Sequence, residues 1–319
     1  MTGSCEAFDA LFYEIDEDET FREERPLLAH YTSLEVVQSI IANNEFWFSN
    51  PLLMNDLEEV MYGLKEARSL VIGSDIIRKT FNKPESADIF FKNFDDYFFE
   101  FEKSNAFDVY VFCMSIHDKS DNDGLLSMWR GYGGHGNGAA IVIDTRQLED
   151  LEKSPFIISK VHYVDKGERK SWIENKLTIL ADILIKSSFK GEELYYPAYY
   201  LFERLKLFAL FTKHKGFSEE NEWRIVYLPD RDINNALKPM LDYTIGKKGI
   251  EPKLKLKLQP LEGVLPSGVE LANIVSKIIL GPTISDALAK KSFERMLEKL
   301  GRSELKDKVV SSGIPLRPT

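Results

Sequence analysis

Cysteine is nearly absent from this chain of 319 residues. Cys5 and Cys113 are the two present, too few and too far apart for a disulfide framework or a cysteine zinc site. No apolar run approaches the roughly 20 residues that a membrane-spanning helix needs. The start, "MTGSCEAFDALFYEIDEDET", lacks the basic and apolar regions of a signal peptide. A cytoplasmic protein with no membrane partner is the expectation. Positive charge is also scarce: 41 Lys and Arg against 51 Asp and Glu give a net charge of −10. Duplex binding draws most of its affinity from phosphate neutralisation, so that balance argues against a duplex partner. The basic stretch is "GKKGIEPKLKLKLQP" (246–260), whose Lys/Leu alternation reads as an edge strand with a solvated face.

Several reaction centres lack their signatures. The five histidines, at 30, 117, 135, 162 and 214, have no H-x-x-x-H or H-E-x-x-H spacing, so no metal site is assigned. "GYGGHG" (131–136) matches G-x-G-x-x-G, but a strand follows it where a dinucleotide fold needs a helix. It reads as a turn. "DKSDNDG" suggests a calcium loop, yet aligning Gly124 with the turn glycine puts Lys119 at the first ligand and Arg130 at the last. A polar loop is the better reading.

Apolar residues make up 44% of the chain and aromatics 12%, enough for a sizeable core. After a polar lead (1–26), "LLAHYT" (27–32) reads as a strand and "SLEVVQSIIANN" as a helix with a T-x-x-E capping box from Thr32 to Glu35. "EFWFSNP" (45–51) is a second strand, and a helix cap falls at Asn55 or Asp56. Phe90, Phe94, Tyr97 and Phe101 form an apolar helical stripe that belongs in a core. "FDVYVFCMS" (107–115), "GAAIVID", "IVSKIILGP" and "KVVSSGIPLR" are further strands. Residues 166–214 read as helical, with Gly216 as the stop of the second helix. The order predicts an α+β fold: residues 27–319 as a single mixed β-sheet domain decorated by helical insertions near 56–104 and 166–214.

The informative stretch is "SEENEWRIVYLP" (218–229). Trp223, Ile225 and Tyr227 alternate on one face, leaving Glu220, Glu222 and Arg224 on the other. That row is either a solvated ion pair or one wall of a site.

The blocks "LLAHYTSLEVVQSIIANNEFWFSNPLLMNDLEE", "LLSMWRGYGGHGNGAAIVID", "FSEENEWRIVYLP" and "IVSKIILGPTISDALAKKSFERML" resemble a bacterial family called domain of unknown function 2971, over residues 27–317. More distantly, "HYT" on a first strand, a serine ending the second and E-x-E before a late strand resemble the ADP-ribosyltransferase superfamily. The nearest branches are those with a leading histidine, the RNA 2′-phosphotransferases and DarT-like toxins. That resemblance implies the ADP-ribosyltransferase fold, NAD as substrate, a macromolecular acceptor (protein, single-stranded nucleic acid or RNA), control by a regulatory partner, and a toxin-like or anti-phage role. It implies Glu222 as the carboxylate at the reacting ribose, Glu220 orienting the acceptor, and His30 on a ribose hydroxyl. Ser49 would support the glutamate or the nicotinamide ribose, Tyr31 or Tyr132 would stack on a ring, Trp129 is a candidate for the nicotinamide clamp, Thr32 completes the motif, and Arg224 would meet Glu222 or a phosphate. The expectation is an NAD-dependent ADP-ribosyltransferase, a reading that requires His30 and Glu222 to meet on one side of the sheet; whether His30, Ser49 and Glu222 converge is a matter for the structure. The alternatives are a non-catalytic nucleotide-binding or sensor module on the same fold, and a nucleic-acid-processing hydrolase.

Overall fold

The computed structural model describes residues 6–12, 17–54, 57–148, 154–187, 189–246 and 249–316. These fall into two compact units, one from 1–17, 51–109 and 161–217, the other from 18–50, 110–160 and 218–319. The chain is thus mixed α+β.

The first unit is mainly helical. The helices Leu57–Ile72, Pro84–Lys103, Lys166–Lys186 and Tyr195–Leu210 fill it, with a parallel pair of short strands beside them. Phe90, Phe94 and Phe101 of the predicted stripe are buried, and Phe94 and Phe101 meet the Phe202 ring edge-on. The helix read as running to Gly216 stops at Leu210, because Thr212–His214 is extended and pairs with His162–Val164. Asn55 and Asp56 lie outside the described residues.

The second unit is built on a ten-stranded sheet. Its strands are β1 (Leu27–Ser33), β2 (Glu45–Ser49), β3 (Tyr110–His117), β4 (Gly138–Asp144), β5 (Phe156–Lys160), β8 (Glu222–Tyr227), β9 (Leu241–Gly246), β10 (Gly249–Lys257), β11 (Val275–Leu280) and β12 (Val309–Ser311); β6 and β7 are the short pair of the first unit. The path runs β12-β11-β4-β1-β3-β2-β10-β9, with β8 on the other edge of β3 and β5 on β8. All these pairs are antiparallel except β11 with β12. Along one edge, β3 changes partner: its residues 115–117 pair with β1, whereas Val111 pairs with Ser49 of β2.

Both faces of this sheet are covered. One carries Leu28, Phe46, Phe48, Tyr110, Phe112, Met114, Ile141 and Trp223; the other carries Ala29, Tyr31, Ala140, Val142 and Trp129. Phe21 of the polar lead is itself buried in the first of these cores. The helix after β1 is capped by Ser33, whose Oγ accepts from the Val36 amide, and not by Thr32, which is still paired to Ala139 in the strand. The lysine ribbon is not an edge. It pairs with β2 on one side and β9 on the other, and β9 takes the edge. Its alternation survives because Leu254 and Leu256 enter the core while Lys253, Lys255 and Lys257 reach Ser49 and Glu251, Asp242, and Glu45.

"GYGGHGNG" is a turn delivering the chain into β4. Gly134, His135 and Gly136 all have positive φ, and Gly133 lies against the Trp129 ring. Gly138 and Gly281 are fixed by close approach. A Cβ on Gly138 would collide with the carbonyl oxygens of Thr32 and Gly133, and one on Gly281 with that of Gly136. These are backbone atoms of β1 and of the glycine turn, with no flexible end to move aside. Gly138→Ala is therefore expected to lower the unfolding free energy by about 3 kcal/mol or more. Gly131→Ala, where the new methyl meets open space, serves as the near-neutral control. Equal urea midpoints for the two variants would refute the close-approach account.

The polar loop after β3 is organised by a side chain. The Lys277 ammonium donates to the carbonyls of Lys119 and Asp121 and to Asn122 Oδ1. A protein cation thus gathers the oxygens that suggested a calcium loop. Among the described residues, no cluster of three His, Cys, Asp or Glu side chains could hold a metal ion.

Candidate functional site

Strand register fixes which residues can meet. In β3 and β8, Ser115 faces Glu222, Met114 faces Trp223, and Cys113 faces Arg224. Directly opposed residues share a face. In β1 and β3, Ala29 faces Ser115. Glu222 and Arg224 therefore lie on the face of Ala29, Tyr31 and Ser115, and Ser49 joins them through its pairing with Val111. His30 and Thr32 have the opposite parity.

The convergence of His30 and Glu222 that a histidine-type transferase requires does not occur. His30 opposes Ile141 and stacks on Phe112, with centroids 4.3 Å apart, on the face that also holds Trp223. Its Nδ1–H donates to the Cys113 carbonyl at 2.9 Å, in the gap where β3 exchanges β1 for β2. Burial pushes its pKa down to about 4, against the weaker opposing pull of that hydrogen bond, so the ring is neutral at pH 7. Sequence parity alone could not expose this separation, because it depends on how β1 and β8 each register against β3.

Glu222 and Arg224 do pair, and the pair is buried. Arg224 Nε donates to Glu222 Oε1 at 2.7 Å and a terminal nitrogen donates to Oε2 at 3.2 Å. Each side chain is only 5% exposed. A solvated same-face pair is thus ruled out. Opposite them, Trp223 is buried against Phe21, so this strand is covered on both faces.

Glu220 is not in the strand. It ends a 3-10 turn (Lys215–Glu220), and Asn221, at φ 42°, breaks the alternation before β8 begins. It still reaches the same neighbourhood by another route. Its carbonyl accepts from Ser115 Oγ at 2.6 Å, and its Oε1 accepts from the Tyr132 hydroxyl at 3.1 Å. Ser115 is the residue that sequence reasoning missed. Its signal was present in the alternation of β3, where an apolar strand carries a serine opposite the acid row.

The aromatic candidates separate clearly. Trp129 is fully buried, with its indole N–H on the Asp123 carbonyl and its ring edge-on to Tyr31. Tyr31 is buried too; its hydroxyl accepts from the Leu125 amide, and burial raises its pKa to about 12. Both are core residues, not ring clamps. Tyr132, 36% exposed, is the candidate left to stack on a ligand. Ser49 Oγ accepts from Lys253 Nζ at 2.9 Å instead of supporting a glutamate. The face thus offers two buried carboxylates, one guanidinium, a serine and a phenol.

The family model described as protein of unknown function (DUF2971) matches residues 128–225. That segment contains the glycine turn, β4, β5 and the E-x-E-x-R stretch, but neither the "HYT" opening nor the closing blocks. No curated protein and no solved structure matches the chain. No helix among the described residues is long and apolar enough to cross a membrane. Over residues 128–225, which carry the Glu220–Glu222–Arg224 cluster, the chain is similar to the DUF2971 family of proteins of unknown function.

Proposed function

We propose that the Glu222 face binds a nucleotide of the NAD class as a binding or sensor module, without a histidine-assisted reaction. The strand parity of His30 carries this reading. A histidine-type transferase needs histidine and glutamate around one ribose, and here the sheet lies between them. The face keeps groups suited to a nucleotide. Carboxylates accept from ribose hydroxyls, an arginine complements phosphate, and Tyr132 offers a ring. An ADP-ribosyltransferase-like fold is part of the same proposal. It is supported by the strand–helix–strand opening and by the exchange of partners along β3.

The second reading is an NAD-dependent ADP-ribosyltransferase working through Glu222 and Glu220 alone. The Tyr132–Glu220 hydrogen bond favours it, because that bond holds a second acid and a phenol beside Glu222. In that reaction the bond between ribose and nicotinamide breaks, and an acceptor nucleophile on a macromolecule bonds to the anomeric carbon and loses its proton. A toxin-like or anti-phage role for the chain follows from this second reading only.

NAD titration by calorimetry, with nicotinamide release followed in parallel, decides between them. Wild type, Glu222→Gln and His30→Gln would be compared, alone and with cell extract, after folding is verified. Saturable binding without release, unaffected by His30→Gln, is the expected result. Release that disappears in Glu222→Gln would establish the transferase reading in its place. Absence of NAD binding by the folded wild type would sink both.

A further inference from the structure

The apolar face of the β9–β10 hairpin runs out of the core before the hairpin ends. Strand register places Leu241 opposite Leu254, Tyr243 opposite Pro252 and Ile245 opposite Ile250. Directly opposed residues share a face, as do residues two apart along a strand, so all six lie on one face. Leu254 belongs to the core, but exposure then climbs toward the turn. It is 37% at Leu241, 65% at Tyr243, 72% at Ile250 and 88% at Ile245. Large apolar side chains exposed singly are ordinary, whereas a contiguous group on one face marks a surface that meets something.

Charge narrows what that is. Residues 238–257 hold six lysines and two acids, in a chain whose net charge is −10. Both acids lie on the opposite face of the hairpin and are held by lysines, Asp242 by Lys255 at 2.8 Å and Glu251 by Lys253 at 3.0 Å. Lys247 and Lys248 stand between the two isoleucines in sequence. The apolar group thus belongs to the basic element of an acidic chain. Addition of a further strand is opposed at this edge, because the Tyr243 amide already donates to Asp242 Oδ1 at 2.8 Å. Nor do four side chains approach the roughly 20–30 residues a side of a stable protein interface. Apolar groups flanked by lysines suit a lipid surface, where they pass the headgroups while ammonium groups stay among the phosphates. Such contact needs no spanning segment.

We propose that the β9–β10 hairpin docks on an anionic phospholipid surface, with Tyr243, Ile245 and Ile250 entering the headgroup layer. The proposal does not rest on the nucleotide reading of the Glu222 face.

Sedimentation of the full chain with phosphatidylcholine vesicles, with and without phosphatidylserine, tests this. Wild type is expected to sediment with the anionic vesicles and to be released from them by salt. Ile245→Thr/Ile250→Thr keeps a β-branched residue in each strand and should weaken binding at least about tenfold, with its fold verified by circular dichroism. Ile245→Trp gives an independent reading on an intact apolar face: its fluorescence should shift to the blue when anionic vesicles are added. No sedimentation of wild type with anionic vesicles, or equal sedimentation of the threonine variant, would overturn the docking surface. Equal binding to pure phosphatidylcholine would overturn the anionic assignment. Two other results would give the face a different occupant and overturn the proposal as well. One is binding of polyuridylate in place of vesicles, and the other is a dimer in analytical ultracentrifugation, each lost in the threonine variant.

Discussion

Replacing Glu222 by alanine should cost about 3–5 kcal/mol of folding stability, more than truncating any exposed ion pair of this chain. The reason is what it leaves behind. Arg224 keeps its charge at any accessible pH and lies in β8, opposed by Cys113 on one side and Ser159 on the other. Without the carboxylate, a buried guanidinium loses a two-point, charge-assisted partner. Removing both charges is a different experiment. Glu222→Met with Arg224→Met takes away the desolvation cost together with the attraction, and it should recover most of the loss. A double-mutant cycle from urea midpoints would measure this. Two small, additive single effects would mean that the pair is solvated, contrary to its burial. The cycle also qualifies the functional assay: Glu222→Gln retains volume and one acceptor, so it separates loss of charge from loss of fold better than alanine does.

The strands carrying this pair were readable because their code is local. Trp223, Ile225 and Tyr227 alternate with Glu222, Arg224 and Val226, and a two-residue period needs no knowledge of partners. The same holds for β1, β4 and β11, whose apolar runs are bounded by glycine, proline or a cap. Three kinds of information were not local. The edge position was one: the lysine ribbon has an edge strand's composition, but β9, whose Tyr243 and Ile245 are exposed, lies outside it. The helix end at Leu210 was another, since three residues turn extended only because a parallel partner waits at His162–Val164. The third mattered most for the site. Parity within β1 and within β8 was legible, but their relative phase is set by Ala29 and Glu222 both opposing Ser115, a long-range register. Asn221 adds a local slip that no period reveals, moving Glu220 off the strand while Tyr132 still captures its carboxylate. Motif order therefore suggested a site that strand register divides between two faces.

Acidification should expose the consequence of that division for His30. Its folded pKa is about 4, against 6.5 for the free side chain, because burial against Phe112 penalises the imidazolium. Between those values the unfolded chain binds a proton that the folded chain refuses. Stability from this group is then fully present above pH 6.5 and is lost as pH falls toward 4, reaching about 2 kcal/mol at pH 5. His30→Gln retains an N–H for the Cys113 carbonyl and cannot titrate. The variant should be comparable to wild type, or somewhat weaker, at pH 7.5, and should close the gap or overtake wild type at pH 5. His117, whose pKa is also lowered by burial, is present in both chains and cancels from the comparison. Urea midpoints across this range supply the measurement, and parallel pH profiles for the two chains would mean that His30 titrates in water. Such an outcome would restore it as a candidate ligand. The expected outcome instead assigns it to the join between β1, β2 and β3, where a neutral ring donates to the Cys113 carbonyl.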